Sequence, residues 1–536
     1  MSTISPAATT PRPGGPAWLA ALDDWCLRFG DLVNPILVKE TRQALKSRQF
    51  LITFSLLLVA AFGWTVVGSL MRMPQIYTAP TAPFMLVGYY VVLAVPMLLV
   101  VPLAAYRSLE SELDDGTLEL LSISILSPWQ IVLGKLASAG LQMTLYFVAL
   151  FPCVAFAYTL RGIDLPTLLI VMAFLFVSGG MLTVAALCFA PQSRSRSGRI
   201  FSLLLVLGML LVGEYVIGGA CITMILYGIP FEADLIGYAI VFTLLTSFAA
   251  ANLLITTTAV MLTPESENRS TRLRLALLLL TAVMFALVAF GVVAFEEVSL
   301  VFAVPTFVVL GILWLAAAAM MVAESPAMTP RIRRELPSSF VARMTWTFLT
   351  PGPATGLIFG CLGLLSVAAA GMIALEYLDS QPVGARGVGF PRGDWSFLGP
   401  FASKFLAYAV VFLVAARWLV FFVRKFQNVR VEFGLAAVVV VAVLAAIIPY
   451  SIGLYLSDSF SFRYTPWQIT NWAWTLSEDP NVLPAWIDAV LAGAAMISFF
   501  TSLAMSSEIA LPRKTALPER VIEERQRERS VKGPEK

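Results

Sequence analysis

The chain has 536 residues, 59% of them hydrophobic and 13% charged, with a formal net charge of +3 and a mean hydropathy of +0.83. Soluble domains carry about 25% charged residues, so the composition is that of a membrane protein, and so small a charge gives no footing for a nucleic-acid partner. Histidine is absent, which removes imidazole metal sites, Ser-His and Cys-His nucleophile pairs and histidine proton relays together. The cysteines (Cys26, Cys153, Cys188, Cys221, Cys361) are far apart and none pairs at metal-ligand spacing. They read as small buried hydrophobes, with no metal implied.

Residues 1–30 are polar, rich in Pro, Ser and Thr, and lack the early apolar run of a signal peptide; they read as a disordered lead. NPILVKETRQALKSRQF (34–50) follows. Asn34 can cap a helix that takes Pro35 in its first turn, where a missing N–H costs nothing. Val33, Ile36, Leu37, Thr41, Ala44 and Leu45 recur at helical spacing, while Lys39, Arg42, Lys46 and Arg48 carry positive charge, with Glu40 among them. The pattern predicts an amphipathic helix on the inner membrane surface, apolar side toward lipid and basic side toward water. An ordinary basic flank that fixes topology fits it equally.

A helical crossing takes about 20 apolar residues, because the bilayer interior offers no partner for free backbone groups. About twelve runs qualify, near 50–71, 83–106, 136–160, 165–190, 200–228, 235–262, 275–295, 300–323, 355–376, 399–423, 434–456 and 485–505. With the N-terminus inside and the crossings alternating, about 29 of the 36 Lys and Arg residues fall on inside segments and about 5 on outside loops. Both termini are therefore expected on the cytoplasmic side, the charged tail 506–536 included. Lys404 and Arg417 fall within the tenth run and are expected to snorkel toward its two ends. Trp467, Trp472, Trp474 and Trp486, in or beside the outside segment 457–484, suit the headgroup level. The 200–228 run is long for one simple crossing and holds Glu214, an isolated carboxylate. Charge at that depth is costly, so Glu214 either handles substrate or protons or stands at a hydrated position.

Between the second and third runs lies ESELDDGTLELLSISILSPWQIVLGK (110–135). Its carboxylates, Glu110, Glu112, Asp114, Asp115 and Glu119, crowd into one short stretch of an otherwise oily chain. Asp115-Gly116-Thr117 is turn chemistry, and LELLSISI is a compact run with helical potential. Ser127 can cap a new helix with Pro128 at its first position, and Lys135 stands at the mouth of the third run. A short helix held between two long ones can transmit force, and exposed acids would give it a docking preference. A solvated loop whose acids keep it out of the bilayer fits the same residues.

These two segments together resemble the ABC-2 type family of ABC exporter permeases. The likeness covers roughly residues 31–262 and is specific at Glu112, Gly116, Thr117, Leu118, Glu119, Leu120, Leu121, Ser127, Pro128, Gly134 and Lys135. The resemblance implies an interface helix carrying Asn34, Pro35, Lys39, Glu40, Arg42 and Arg48. It also implies a coupling helix near 112–128, Asp115 included, that docks on a separately encoded ABC ATPase subunit. It further implies a re-entrant segment on the outer side near Glu214.

No G-x-x-x-x-G-K-[ST] occurs, since Gly134-Lys135 is followed by Leu136. ATP would be bound by the partner, and the chain itself is expected to be neither an enzyme nor a cofactor binder. The expected fold is all-α, a polytopic bundle of about twelve transmembrane helices in the plasma membrane. It comprises a permease unit at 31–262 and a second bundle of about six spans at 263–505. An ABC exporter needs two permease units, so a homodimer or a second permease subunit is expected unless the two halves form a pseudo-dimer. An ion-driven secondary transporter and a non-transporting membrane scaffold are the other readings.

Overall fold

The computed structural model describes residues 35–116, 127–192, 196–229, 233–264, 267–295, 299–326, 328–380, 398–427, 429–456, 464–478, 483–484 and 486–506. Among them all regular structure is helical, and twelve helices are long and apolar enough to cross a membrane. The protein is a multi-pass membrane protein. The expected residues Asn34, Thr117, Leu118, Glu119 and Leu121 lie outside the described residues, as do Cys26 and the tail from 507.

The helices are α1 (Pro35–Lys46), α2 (Arg48–Met71), α3 (Ala82–Asp114), α4 (Pro128–Thr159), α5 (Leu165–Phe189), α6 (Arg196–Tyr227) and α7 (Ala233–Leu262). They continue with α8 (Ser270–Ala294), α9 (Ser299–Val322), α10 (Pro330–Glu335), α11 (Phe340–Thr347) and α12 (Pro353–Ser380). The last are α13 (Leu398–Arg424), α14 (Glu432–Leu456), α15 (Trp472–Ser477) and α16 (Trp486–Ala504). Each of the twelve apolar runs is one helix; α1, α10, α11 and α15 are the short additions. By contacts the described residues form two compact units. One runs through Glu232 and adds Leu254–Leu262; the other holds Ala233–Leu253 and the described residues from Thr263 onward.

Local chemistry sets the boundaries. Ser47 breaks α1 from α2 by accepting the Phe50 N–H at 3.1 Å, an N-cap that restarts the helix. Asp164 caps α5 the same way, and the backbone N–H and then the hydroxyl of Thr167 hold its carboxyl below the usual carboxylate range. α3 carries Pro96 and Pro102, which lack the N–H a helix interior needs. The helix continues through a π-turn at Val95–Val100, the local widening that absorbs such a defect.

One expectation is corrected here. The 200–228 run is a single uninterrupted helix, α6, with no re-entrant break among its described residues. Its 32 residues span about 48 Å at 1.5 Å each, more than the roughly 30 Å hydrocarbon core. Tilt or projection beyond the core takes up the surplus length. Glu214 therefore lies along a regular helix, and its Oε2 is buried with no hydrogen-bond partner.

The core of the first unit packs Tyr89, Leu93, Met97 and Tyr106 of α3 against Tyr146 and Leu150 of α4 and Leu175 of α5. In the second unit Trp314 of α9 is fully buried and its indole N–H donates to Thr281 of α8 at 2.9 Å. Close helix approach there rests on small residues, as in membrane bundles generally. At Gly434 of α14 an added Cβ would stand 2.0 Å from the backbone carbonyl oxygen of Ala319 on α9. A backbone atom cannot swing aside, so Gly434→Ala is expected to cost about 1–3 kcal/mol through overpacking. Gly493→Ala, whose Cβ meets nothing within 4 Å, serves as the silent control in the same thermal unfolding experiment.

Lys404 and Arg417, expected to reach toward the two ends of their run, both turn toward α16. Lys404 is buried and stands 3.7 Å from Asp488, while Arg417 donates to the Ser502 carbonyl at 3.0 Å and its hydroxyl at 2.7 Å. Asp488 lies in the first turn of α16 and Ser502 in its last, so the two charges find partners near its opposite ends. The four tryptophans divide as well. Trp467 and Trp486 are exposed, but Trp472 donates to the Ala442 carbonyl of α14 at 2.9 Å and Trp474 to Glu478 at 2.8 Å. Trp472 ties the 464–478 segment to α14, and the Trp474 ring stands against Tyr450 of the same helix at 6.1 Å.

Candidate functional site

Three helix ends meet at one point in the first unit. α3 does not stop where its apolar run stops but continues through Glu110, Glu112 and Asp114. Gly116, at φ +66°, follows Asp115 and closes the helix, a conformation glycine adopts without a Cβ penalty. α4 begins with a reciprocal cap: the Ser127 hydroxyl accepts the Gln130 N–H, and the Gln130 side chain accepts the Ser127 N–H at 2.9 Å. Pro128 occupies the first helical position. α1 packs along α4, with Ile36 and Glu40 turned inward and buried.

Lys135, about two turns into α4, lies where these elements converge. Its side chain is 2% exposed. The ammonium donates to Ser108 Oγ at 2.7 Å and to Glu40 Oε1 at 3.2 Å, and it stands 3.1 Å from Glu112 Oε2. Three N–H donors thus face three oxygens, the full capacity of a lysine. The Ser108 hydroxyl in turn donates a hydrogen bond to Glu40 Oε2 at 3.1 Å, and Lys39 donates to Glu112 Oε1 at 3.2 Å. Two lysines balance two glutamates. A buried ammonium is tolerated only when so compensated, and here the compensation joins α1, α3 and α4 into one body.

Among the described acids Glu110 and Glu112 are half-buried, while Asp114 and Asp115 are exposed. Glu112 faces inward, Asp114 is paired with Arg199 of α6, and Glu110 accepts the Tyr106 hydroxyl at 3.3 Å. Asp115 and Ser127 remain exposed at the two ends of the connection. One face of α1, with Ile36 and Glu40, covers α4, while Val38 and Leu45 stay exposed. Arg42 and Arg48 are exposed and take no part in the node. Lys135 and Ser108 were not among the expected interface residues. The signal was available in IVLGKLASAG, since a lysine inside an apolar run demands a carboxylate.

The second unit has its own buried ion pair. Arg274, in the second turn of α8, is fully buried and donates to Glu324 Oε2 at 2.7 Å and to the Phe348 carbonyl at 2.6 Å. Glu324, just past α9, also accepts the Ser270 hydroxyl at 2.6 Å and the Gly352 N–H at 2.9 Å. The guanidinium lies over the Phe359 ring at 5.4 Å, within cation–π range. This node ties the start of α8, the end of α9 and the start of α12. It was not foreseen, because Arg274 and Glu324 each fall one residue outside the expected runs 275–295 and 300–323.

Among the described residues no group of three or more Cys, Asp or Glu is placed to hold a metal ion. The Lys135 ammonium and the Arg274 guanidinium both spend their bonds on neighbouring helix ends, although Arg274 Nε is buried without a partner, so the chemistry of both nodes is mechanical: they fix helix ends. No family model, curated protein or solved structure matches this chain.

Proposed function

We propose that the chain is the membrane-spanning permease subunit of an ABC-type exporter, driven by a separately encoded ATPase. Both termini and the connection between α3 and α4 face the cytoplasm of a cell bounded by the plasma membrane. The observation that carries the reading is the Lys135 node, which clamps α1, α3 and α4 where the 115–127 connection leaves them. A push on that connection moves all three helices together, as alternating access requires. The resemblance at Glu112–Lys135 and the excess of basic residues on the proposed inner side support it further.

Docking is tested by reversing charge where the node is spared. With an ATPase subunit co-expressed, Asp115→Lys combined with Glu119→Lys is expected to abolish co-purification and stimulation of ATP hydrolysis. The melting temperature of the purified permease should stay unchanged. Intact pull-down and undiminished stimulation would remove the reading.

Glu214 favours the rival, an ion-driven transporter, because its Oε2 is buried without a partner and such a group is functional by default. Under our reading, vesicles holding an ion gradient but no nucleotide carry no flux, with or without Glu214→Gln. Gradient-driven flux that Glu214→Gln abolishes would establish the rival.

A further inference from the structure

The second unit carries a surface that the ATPase-coupled reading does not use. α10 and α11 connect α9 to α12, and residues 328–347 hold four arginines and one glutamate. α10 sits on the body of the unit through Ile332 and Leu336, both buried, and Arg331 pairs with Glu267 at 2.9 Å. Arg333 and Arg334 on the same helix are exposed. α11, capped by Ser339, exposes Phe340 (66%), Val341 (71%) and Met344 (56%), with Phe348 following just beyond its end. Spacings of one, four and eight residues put these side chains on one helical face.

Depth decides what covers that face. Immediately after α11, the Phe348 carbonyl accepts from Arg274 and the Leu349 carbonyl accepts the Thr271 hydroxyl at 2.8 Å. Thr271 and Arg274 belong to the first two turns of α8, a membrane-crossing helix. α11 therefore ends level with the start of a span, at the membrane boundary, and does not project into water. An apolar helix face at that level, beside exposed arginines, is the arrangement of an interfacial helix whose side chains enter the acyl boundary while guanidinium groups meet phosphates.

We infer that α10 and α11 form a binding surface for anionic phospholipid, with Phe340, Val341, Met344 and Phe348 seated among acyl chains and Arg333 and Arg334 engaging headgroup phosphates. Guanidinium suits this role because its planar fork can donate to two phosphate oxygens at once.

The test uses the full chain reconstituted in bilayers, with spin-labelled phosphatidylglycerol and phosphatidylcholine as probes of lipid selectivity. The wild type is expected to retain phosphatidylglycerol preferentially. Arg333→Gln with Arg334→Gln should weaken that preference about fivefold per arginine removed. Arg333→Lys with Arg334→Lys should keep most of it, which separates lost charge from lost fold. Phe340→Ser with Met344→Ser should weaken retention of both lipids. Equal retention of the two lipids by the wild type would overturn the inference, as would a preference unchanged in the glutamine variant. It is also overturned if inorganic phosphate competes as well as the lipid, or if the glutamine variant loses a protein partner while keeping its lipid selectivity.

Discussion

Lys135→Met is expected to destabilise the protein by about 3–5 kcal/mol, the cost of stranding buried charge by deleting one partner. Methionine keeps the length of the side chain but leaves Glu40 and Glu112 facing each other, with Lys39 reaching only Glu112. The deficit should be local to the α1–α3–α4 junction. It is measured as unfolding of the purified protein in mixed micelles, or as an inactivation rate where unfolding is irreversible. Removing the stranded charges should restore most of the loss, so the triple variant Lys135→Met, Glu40→Gln, Glu112→Gln should be more stable than Lys135→Met alone. A Lys135→Met protein within about 0.5 kcal/mol of wild type, the range of ordinary surface changes, would mean that the ammonium is not buried as described. Under the proposed function the same variant uncouples ATP hydrolysis from transport while leaving ATPase binding in place, because the docking acids are untouched.

The second large effect is at Arg274. Arg274→Met is expected to cost a further about 3–5 kcal/mol in its own unit, releasing the Phe348 carbonyl and leaving Glu324 with only Ser270 and the Gly352 N–H. Its partner variant, Glu324→Gln, should cost at least as much. The reason is an asymmetry of chemistry: a guanidinium cannot shed its proton, so Glu324→Gln strands a permanent cation that is 0% exposed. A readout beyond global unfolding is limited proteolysis. With the node broken, α10 and α11 lose their anchor to α8, and trypsin should cut at Arg333 and Arg334 well before it does in the wild type. Equal protection in the two proteins would show that Arg274 does not hold this connection.

The twelve crossings were legible because a hydrocarbon core leaves a helix almost no alternative, and length with apolar composition is enough to find one. Ends were legible where a cap spelled them out, as at Ser127-Pro128. They were not legible where a helix ran on into water. α3 reaches Asp114 because Glu110 and Glu112 find partners on the helix flank, which no window of hydropathy registers. The site was half legible. Lys39, Glu40 and Glu112 were singled out for their segments, yet their meeting point was not, since Lys135 and Glu40 are 95 residues apart in sequence. A lysine in an apolar run announces that it has a partner without saying which. Arg274 was harder still: flanked by Arg269 and Arg272, it reads as one more basic residue at a span mouth. Only burial distinguishes it. For α6 the error ran the other way, because excess length suggested a break although a continuous backbone ladder needs none.

The closed character of the Lys135 cluster separates two kinds of electrostatics by ionic strength. Mobile ions screen charges that water reaches, over a Debye length of about 8 Å at physiological concentration, and act far less on pairs sealed within protein. Under the proposed function, adding potassium chloride should therefore loosen an ATPase subunit docked at Asp115 while the α1–α3–α4 junction keeps its shape.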